Sequence, residues 1–307
     1  MKNRNEAVIS FVILHYGDLS VTEQCVRSIL EMDQQENIRI VVMDNDVDRP
    51  ETERQKLSEK YQGMERLQVL RVEENGGFSY ANNLGYRYAR EVQNAGFIIV
   101  ANNDIEFPQK DFPQRLYESY EKQRAHVLGP DIIRQGTGEH QNPLDTRLRT
   151  KEETRRTIRS NRLGLRLYPV LFPLLSFQMR RMERQQTTVR LAQSERYAKT
   201  QTQIIPFGAC LIFTPAFIKQ EKKAFAPETR FFYEEYLLAR RCREKAYRIV
   251  YDPSMRVFHE SGTATKRSYR NEYRRLRFVM ERTVEACEIY LVQKGIPENS
   301  DTRESNI

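Results

Sequence analysis

Four strand-like apolar runs, separated by segments with helical spacing, occupy the first hundred residues and constrain the fold more than any other feature. The runs cover residues 7–14, 38–43, 67–72 and 97–100. The last run is uninterrupted, as in strands that are buried on both faces. Repeated strand–helix units predict a mostly parallel, doubly wound sheet. We therefore expect an α/β fold in which helices flank a Rossmann-like central sheet.

Each of these runs ends in polar residues or glycine. The carboxyl ends of parallel strands meet at one edge of a sheet, where open α/β sheets bind their ligands. The strand-end residues are Tyr16, Asp44, Asn45, Asn75, Gly77, Asn102, Asn103 and Asp104. They either cap turns or line a ligand site. The convergence of Asp44-Asn45 with Asn102-Asn103-Asp104 favours the ligand site.

Two strand ends have residue types that suit a nucleotide and a cation. Gly76 and Gly77 permit a positive φ or close approach of the backbone to a ligand, although an ordinary tight turn uses glycine in the same way. The stretch contains neither a Walker motif nor a G-x-G-x-x-G fingerprint. Asn102, Asn103 and Asp104 offer oxygen ligands that Mg²⁺ or Mn²⁺ prefers, and the alternative is a turn cap.

The second half of the chain is less regular. Strands are predicted at 126–132 and 209–215, a short strand pair at 247–253 and 255–262, and helices at 233–247 and 268–293. Glu234 and Glu235 begin the first of these helices. They are either solvent-exposed acids that the helix dipole favours in a first turn, or a general base and a neighbour that orients it. His259 follows a strand and is either a structural residue or a metal ligand. The tail from Pro297 is predicted to be disordered.

Residues 147–190 carry the positive charge of the chain. This segment has twelve Lys and Arg against three acids, a net charge of +9, whereas the whole chain has +8. Basic residues flank the apolar stretch 167–177, which suits docking at an anionic membrane surface. A nucleic-acid partner is not expected because aromatic stacking positions are sparse. The alternative is a helical arm that packs in a homodimer or over the active site. Pro169 and Pro173 predict that the segment is not one smooth helix.

Cysteine usage and hydropathy bear on the compartment. The four cysteines form no C-x-x-C pair, which indicates neither a disulfide framework nor a zinc site. The first residues lack the apolar core of a signal peptide, and no window approaches the ~18 apolar residues of a membrane span. We therefore expect a cytoplasmic protein, peripheral at the inner face of the cell membrane through residues 147–190.

Six motifs, in order, resemble those of the family 2 glycosyltransferases, which have a GT-A-type fold and build bacterial surface polysaccharides such as capsule. The motifs are VVMDN (41–45), ENGGFSYANNLGY (74–86), ANNDI (101–105), PFGACLIFTPAF (206–217), FFYEEYLLARRCREKAYRI (231–249) and DPSMRVFHESG (252–262). The second motif is similar to a segment typical of rhamnosyltransferase-like members. The resemblance covers residues 7 to about 135 and 204 to about 265.

This resemblance implies a role for each matching residue. Asp44 would hydrogen-bond uracil or thymine, with Tyr16 near the base. Asp104 would hold Mg²⁺ or Mn²⁺ together with His259 and Asn102. Glu235 would deprotonate the acceptor hydroxyl, and Glu234 is the alternative base. The nucleotide-sugar site would comprise Tyr16, Asp44, Asn45, Asn75, Gly77, Asn82, Asn102 and Asn103.

Three positions depart from the family pattern. Asn102 stands where many relatives have an Asp in the metal motif, and Glu235 stands where the family often has an Asp base. Leu237 occupies a position where many members carry a second acid. These departures raise the alternative of a catalytically silent nucleotide-sugar-binding or scaffold protein with the same fold.

The activity that the resemblance implies is metal-dependent, inverting transfer of a sugar from a UDP- or dTDP-sugar to a glycan or polyprenyl-linked acceptor, with rhamnose as the first candidate. A nucleotidyltransferase would need a Gly-rich, Lys-bearing loop after the first strand, which HYGDLS (15–20) does not supply. The expected organisation is a nucleotide-sugar-binding half (1–135), a basic helical insertion (136–203), an acceptor and catalytic half (204–265), and a C-terminal helix and tail (266–307).

Overall fold

A sheet of nine strands forms the centre of the molecule. The computed structural model describes residues 7–192, 194–260 and 272–298. The strands are β1 Ile9–His15, β2 Ile38–Asp44, β3 Leu67–Arg71, β4 Phe97–Asn102, β5 Ile105–Glu106, β6 Val127–Arg134, β7 Gln201–Thr202, β8 Cys210–Phe213 and β9 Ile249–His259. The helices are α1 Leu19–Leu30, α2 Glu51–Lys60, α3 Phe78–Glu91, α4 Phe112–Gln123, α5 Lys151–Arg166, α6 Tyr168–Ala192, α7 Ser194–Tyr197, α8 Pro215–Gln220, α9 Glu234–Glu244 and α10 Glu272–Leu291. The predicted α/β fold with a central sheet between helices is confirmed.

The strand order is β3-β2-β1-β4-β8-β6-β9-β5, with β7 paired to β9. The first four strands form the predicted parallel ladder, because β1 pairs with β2 and β4, and β2 pairs with β3, all in parallel. Strand β8 runs antiparallel to both β4 and β6. The second half of the sheet is therefore mixed. The parallel ladder brings the carboxyl ends of β1, β2, β3 and β4 to one edge.

Side chains from β4 enter the core on both faces of the sheet. Ile98 and Val100 pack in one apolar layer, which also holds buried residues of α3 and α9. Phe97 and Ile99 pack in the opposite layer, with residues of α1 and α4. Successive residues of a strand point to opposite faces. The polar residues that follow Val100 and Ala101 therefore emerge at the sheet edge on alternate sides.

The predicted strand pair at 247–253 and 255–262 is wrong. A single strand, β9, covers Ile249–His259 and pairs in parallel with β6. The register shifts between Pro130 and Asp131, whose partners on β9 are Asp252 and Arg256. An irregularity of this kind lets a strand accommodate extra residues without ending, and Pro253 lies within it. Residues 261 and 262 of the predicted pair lie outside the described residues.

Helices α5 and α10 pack against each other, and α6 contacts both of them. The basic segment is divided at Leu167 into α5 and α6, as its prolines predict, but Pro173 lies inside α6 and does not end it. Tyr168 packs against Leu276 and Met280 of α10. Over the described residues, none of the helices has the length and apolar character needed to cross a membrane.

Candidate functional site

The end of β2 places the Asp44 carboxylate in a buried ion pair. Asp44 is 1% exposed, and its Oδ2 accepts a hydrogen bond from Arg54 Nε at 2.7 Å. The Arg54 guanidinium also donates to the carbonyl oxygens of Asp44 and Val72, at 3.4 and 3.3 Å. Arg54 therefore joins the ends of β2 and β3 and fixes the orientation of Asp44. Sequence reasoning missed Arg54, because it lies in a polar helix without any motif.

A cleft of about 750 Å³ opens at this edge, and Asp44 is in its wall. The other lining residues include His15, Gly17, Asp46, Arg49 and Arg54. The side chain of Asp46 accepts hydrogen bonds from Gly17 N and from Arg49 Nε, each at 2.9 Å. His15 contacts Thr22 Oγ1 through Nδ1 at 2.6 Å, and burial lowers the pKa of His15 in spite of the nearby carboxylates. The first two strand ends thus form a polar cleft. Of Tyr16, Asp44 and Asn45, which the sequence pattern placed at these strand ends, only Asp44 is among the residues that line it.

Asn103 ties the end of β4 to the end of β1. Its Nδ2 donates to Thr22 Oγ1 at 2.9 Å and to the Tyr16 carbonyl oxygen at 3.3 Å, and it is 4% exposed. The structure therefore uses the Asn103 amide as a brace between two strand ends. The backbone of Asn102 donates to the Ala209 carbonyl oxygen at 3.0 Å, which places Asn102 beside the loop that enters β8.

The glycine loop between β3 and α3 is held by contacts on both sides. Asn75 Oδ1 accepts from Gly77 N at 3.1 Å, and Gly77 has a φ of +88°. Phe78 N donates to the Arg230 carbonyl oxygen at 2.7 Å. A Cβ at position 77 would lie 2.3 Å from that oxygen. Glycine is therefore required at 77 both for its backbone conformation and for the close approach of the 230 loop.

Two buried amide oxygens at this edge have no hydrogen-bond partner among the described residues. They are Asn45 Oδ1 and Asn82 Oδ1. Asn82 is fully buried, and its Nδ2 donates to the Phe78 carbonyl oxygen at 3.0 Å. An unpartnered buried acceptor is costly, so each of these oxygens requires a partner that the described residues do not supply. The neighbouring Asn83 instead clamps the Phe225 backbone, at 2.8 Å to its oxygen and 2.9 Å to its nitrogen.

Asp104 and His259 face each other across the β5–β9 ladder. Ile105 is the register partner of His259, and the distance from His259 Nε2 to Asp104 Oδ1 is 3.2 Å. On the other side of the ring, Nδ1 lies 2.6 Å from Gln141 Oε1. The contact with Gln141 fixes the orientation of the ring, so that Nε2 is the nitrogen that faces Asp104. That arrangement suits a cation between the two groups.

The donor set for a divalent cation is small. Among residues 7–192, 194–260 and 272–298, no group of three His, Cys, Asp or Glu side chains could hold a metal ion. Asp104 and His259 provide two donors, an oxygen and a nitrogen, and both residues are less than 10% exposed. Mg²⁺ and Mn²⁺ are commonly held by a few protein ligands together with the phosphates of a substrate. The residues therefore fit a cation that a bound diphosphate shares.

The acids at the start of α9 are buried, which excludes the alternative that they are solvent-exposed residues of the first helical turn. Glu234 and Glu235 are each 9% exposed. Burial raises the pKa of Glu234 well above its ordinary value, and the charge of Glu235 raises it further. Burial also raises the pKa of Glu235, although backbone N–H donors oppose the shift. Two neighbouring buried carboxyls hold protons more readily than exposed ones, as a group that must accept a proton requires.

Glu235 is positioned by the loop that precedes β8. Its Oε1 accepts from Gly208 N at 3.1 Å, and a Cβ at position 208 would lie 2.7 Å from that oxygen. Ala101 on β4 is the register partner of Cys210. The Glu235 carboxyl therefore lies near the end of β4. Leu237, where the resemblance led us to look for a second acid, is 1% exposed and packs in the core.

Glu234 contacts α3 through a short chain of hydroxyls. Thr229 Oγ1 lies 3.5 Å from Glu234 Oε2 and 3.3 Å from Ser79 Oγ. The two residues before the acids, Phe232 and Tyr233, have φ values of +69° and +64°. Positive φ at two successive aromatic residues is unfavourable and is maintained only where the surrounding structure enforces it. The backbone that presents the acids is therefore fixed by tertiary packing.

Comparison with known proteins agrees with this arrangement of elements. Residues 10–185, more than half of the chain, match the profile of Glycosyl transferase family 2. No curated protein sequence matches the chain. Among solved structures, the mannosyltransferase PcManGT from Pyrobaculum calidifontis, in complex with GDP-Man and Mn²⁺, is 12% identical, with a TM-score of 0.50 over 92% of this chain and 74% of its own.

Two further solved structures are similar to the chain over most of its length. GalNAc-T7 with UDP, GalNAc and Mn²⁺ is 12% identical, with a TM-score of 0.54 over 84% of this chain and 44% of its own. S. aureus TarS 1-349 is 16% identical, with a TM-score of 0.49 over 89% of this chain and 65% of its own. The chain thus spans less than two thirds of the length of these two proteins. The fold is GT-A-like, and the chain belongs to glycosyltransferase family 2.

Proposed function

We propose that this protein transfers a sugar from a nucleotide-sugar to a hydroxyl of a glycan or polyprenyl-linked acceptor, with inversion at the anomeric carbon. The observation that carries the proposal is the position of Glu235. Its buried carboxyl accepts a hydrogen bond from Gly208 N near the end of β4, and Asp104, which faces His259 at the end of β9, follows β4. A base and a cation-binding pair at one strand end suit a reaction in which a diphosphate departs as a hydroxyl attacks.

The donor nucleotide is proposed to enter at the ends of β1, β2 and β3. Asp44, held by Arg54, offers carboxylate oxygens to the N–H group of a uracil, thymine or guanine ring. Tyr16 and Asn45 would lie near the base, and the Asn75–Gly77 loop would approach the sugar diphosphate. The orphaned oxygen of Asn82 supports this assignment, because a donor hydroxyl would satisfy it.

In the proposed reaction the acceptor oxygen attacks the anomeric carbon, and the bond from that carbon to the diphosphate oxygen breaks. The acceptor proton passes to Glu235, and the nucleoside diphosphate leaves. Direct displacement inverts the anomeric centre and needs no glycosyl-enzyme. Glu234 is the neighbouring acid. Burial and the charge of Glu235 both raise the pKa of Glu234, and burial also raises the pKa of Glu235.

Asp104 and His259, with Asn102 beside them, are the residues that would hold Mg²⁺ or Mn²⁺. Such a cation supplies charge neutralisation for the departing diphosphate. Gln141 keeps the His259 ring oriented toward Asp104. PcManGT and GalNAc-T7, which have this fold, were both solved with Mn²⁺ and a nucleotide, which supports the assignment.

The finer features follow from the sequence motifs. We propose a role in bacterial surface polysaccharide synthesis, such as capsule, with rhamnose as the first sugar to test, because ENGGFSYANN (74–83) is similar to rhamnosyltransferase segments. We also propose a four-part organisation of the chain with boundaries at 135, 203 and 265. A cytoplasmic location and self-association as a homodimer are further proposals. The described helices α5 and α6 fall within the proposed insertion.

Titration calorimetry tests the donor site. UDP, dTDP and GDP would each be titrated with and without Mn²⁺ into wild type and into Asp104→Ala. We expect one nucleotide to bind, Mn²⁺ to strengthen that binding, and Asp104→Ala to remove the Mn²⁺ effect while weak nucleotide binding persists. Failure of all three nucleotides to bind a folded protein would refute the proposed donor site.

A catalytically silent protein of the same fold is the second candidate, and the replacement of a metal-motif Asp by Asn102 favours it. The transferase and the silent protein are distinguished by measuring turnover of the nucleotide-sugar whose nucleotide binds in the calorimetric titration. Glu235→Gln should reduce turnover by roughly 10²–10⁴-fold while donor affinity is unchanged, since a positioned base contributes about that much. Glu244→Gln, at the exposed end of the same helix, is the matched control. If the wild type binds the donor but turns it over no faster than Glu235→Gln does, the protein is catalytically silent.

A further inference from the structure

The exposed side of α6 is apolar at one end and basic at the other. Val170, Leu174 and Phe177 are 81%, 52% and 64% exposed, and Leu167 just before the helix is 44% exposed. Positions 170, 174, 177, 181 and 184 alternate spacings of four and three, so they share one side of the helix. Phe177, Arg181 and Arg184 line one surface pocket. We call the surface made of Leu167, Val170, Leu174, Phe177, Arg181 and Arg184 the outer face.

The opposite side of α6 is already used in packing. Tyr168 forms a buried cluster with Leu276 and Met280 of α10, against which Leu175 also packs. Ser176 Oγ donates to Glu272 Oε1 at 2.9 Å. These contacts fix the rotation of α6. The outer face is therefore held toward the surface and cannot turn into the core without breaking the α6–α10 contacts.

The acids whose side chains the structure describes do not pair with the arginines of the outer face. Glu272 pairs with Arg180 at 2.6 Å, and Glu288 pairs with Arg162 of α5. Arg181 and Arg184 are both exposed, and neither forms an ion pair with an acid whose side chain is described. The surface therefore combines large exposed apolar side chains with two arginines that remain available to an anion.

We propose that the outer face docks on an anionic lipid surface, with Val170, Leu174 and Phe177 at the acyl boundary and Arg181 and Arg184 at lipid phosphates. Amphipathic helices with this division lie in the plane of a membrane interface. A second copy of the chain fits less well. A parallel pairing would oppose arginine to arginine, and an antiparallel pairing would place arginines against apolar side chains, which leaves buried charge uncompensated. Exposed aliphatic side chains would gain nothing from nucleic acid.

Vesicle flotation tests this inference. Wild type should bind vesicles of phosphatidylcholine with phosphatidylglycerol, and binding should weaken strongly on phosphatidylcholine alone or in high salt. Val170→Ser with Phe177→Ser should lower the partition coefficient by about tenfold or more, since two apolar side chains no longer leave water. The control, Val92→Ser with Val292→Ser, changes side chains that are 60% and 78% exposed elsewhere, and it should bind as wild type. Arg181→Gln with Arg184→Gln should lose about tenfold or more on anionic vesicles alone.

Two results would overturn the proposal. One is wild-type binding that neither pair of outer-face substitutions weakens. The other is a dimer, measured by sedimentation without lipid, that Val170→Ser with Phe177→Ser dissociates. Docking does not depend on sugar transfer, because a silent protein would carry the same face. Nucleotide binding would be measured by calorimetry on the same samples. A sample that binds the nucleotide but not vesicles has lost docking alone, and one that binds vesicles but not the nucleotide contradicts only the proposed donor site.

Discussion

Gly77→Ala tests whether the glycine loop is shaped by its approach to the 230 loop. The residue has φ +88° and ψ −170°, a region that is essentially restricted to glycine. The new Cβ would lie 2.3 Å from the Arg230 carbonyl oxygen. Ordinary contacts begin near 3.4 Å, so one backbone must move by about 1 Å. Backbone strain of ~1–3 kcal/mol and overpacking of ~1–3 kcal/mol together predict a loss of roughly 2–6 kcal/mol in unfolding free energy.

Gly136→Ala separates the two contributions. Gly136 has a φ of +81°, but nothing lies within 4 Å of the position that a Cβ would occupy there. Only backbone strain applies at this residue, and we expect a loss of about 1–2 kcal/mol. Urea unfolding followed by circular dichroism measures both variants. Gly77→Ala should also weaken binding of the selected nucleotide by about tenfold, because displacement of residues 75–78 disturbs the proposed donor site.

The comparison between the two glycines decides the question. If Gly77→Ala loses no more stability than Gly136→Ala, the 230 loop adapts freely and the close approach does not constrain position 77. If the stability difference is present but nucleotide affinity is unchanged, the loop is structural and Asn75 and Gly77 do not line the donor site.

Three further predictions concern buried polar groups. Glu234→Gln should flatten the pH dependence of stability, because folding raises the pKa of Glu234. The stabilisation from protonated Glu234 is complete below its unfolded pKa and is lost as pH rises through its folded pKa, by up to ~1.4 kcal/mol per pH unit. Thermal unfolding of wild type and variant from pH 4 to 9 measures this loss. Arg54→Leu leaves the buried carboxylate of Asp44 unpaired and should lower the free energy of unfolding in urea by ~3–5 kcal/mol. Arg49→Leu changes a side chain that is 42% exposed and should lower that free energy by less than about 1 kcal/mol. Equal losses for the two arginines would contradict the prediction. Gln141→Leu should weaken Mn²⁺ binding to the nucleotide complex by roughly 10–100-fold without changing nucleotide affinity alone, as calorimetry would measure.

The sequence was sufficient for those features that depend on local pattern. Polar residues after a buried strand predicted the edge at which Asp44 and Asp104 lie, and helical spacing predicted that Glu234 and Glu235 begin α9. The strand pair around Pro253 was wrong because proline is an ordinary signal for a strand end. Strand β9 tolerates it within a register shift, which depends on the partner strand and not on the local sequence.

Contacts between distant segments could not be read from local pattern. Gln141, which orients His259, lies 118 positions away in the sequence. Arg54 reaches Asp44 only because α2 folds back over the end of β2. Leu237 had appeared as a missing acid, yet it is 1% exposed in the apolar layer under α9. An acid at that position would be buried in the apolar layer and would need a compensating partner there.

The aromatic contacts at the start of α9 connect the acid pair with α5 and α10, the two helices that contact α6. Arg149, just before α5, lies 5.7 and 5.3 Å from the ring centroids of Tyr233 and Tyr236, which flank the two acids. Tyr290 of α10 packs against both rings and donates to the Arg149 carbonyl oxygen at 2.8 Å. A displacement of α5 or α10 would therefore act on Tyr233 and Tyr236, the two residues that flank Glu234 and Glu235.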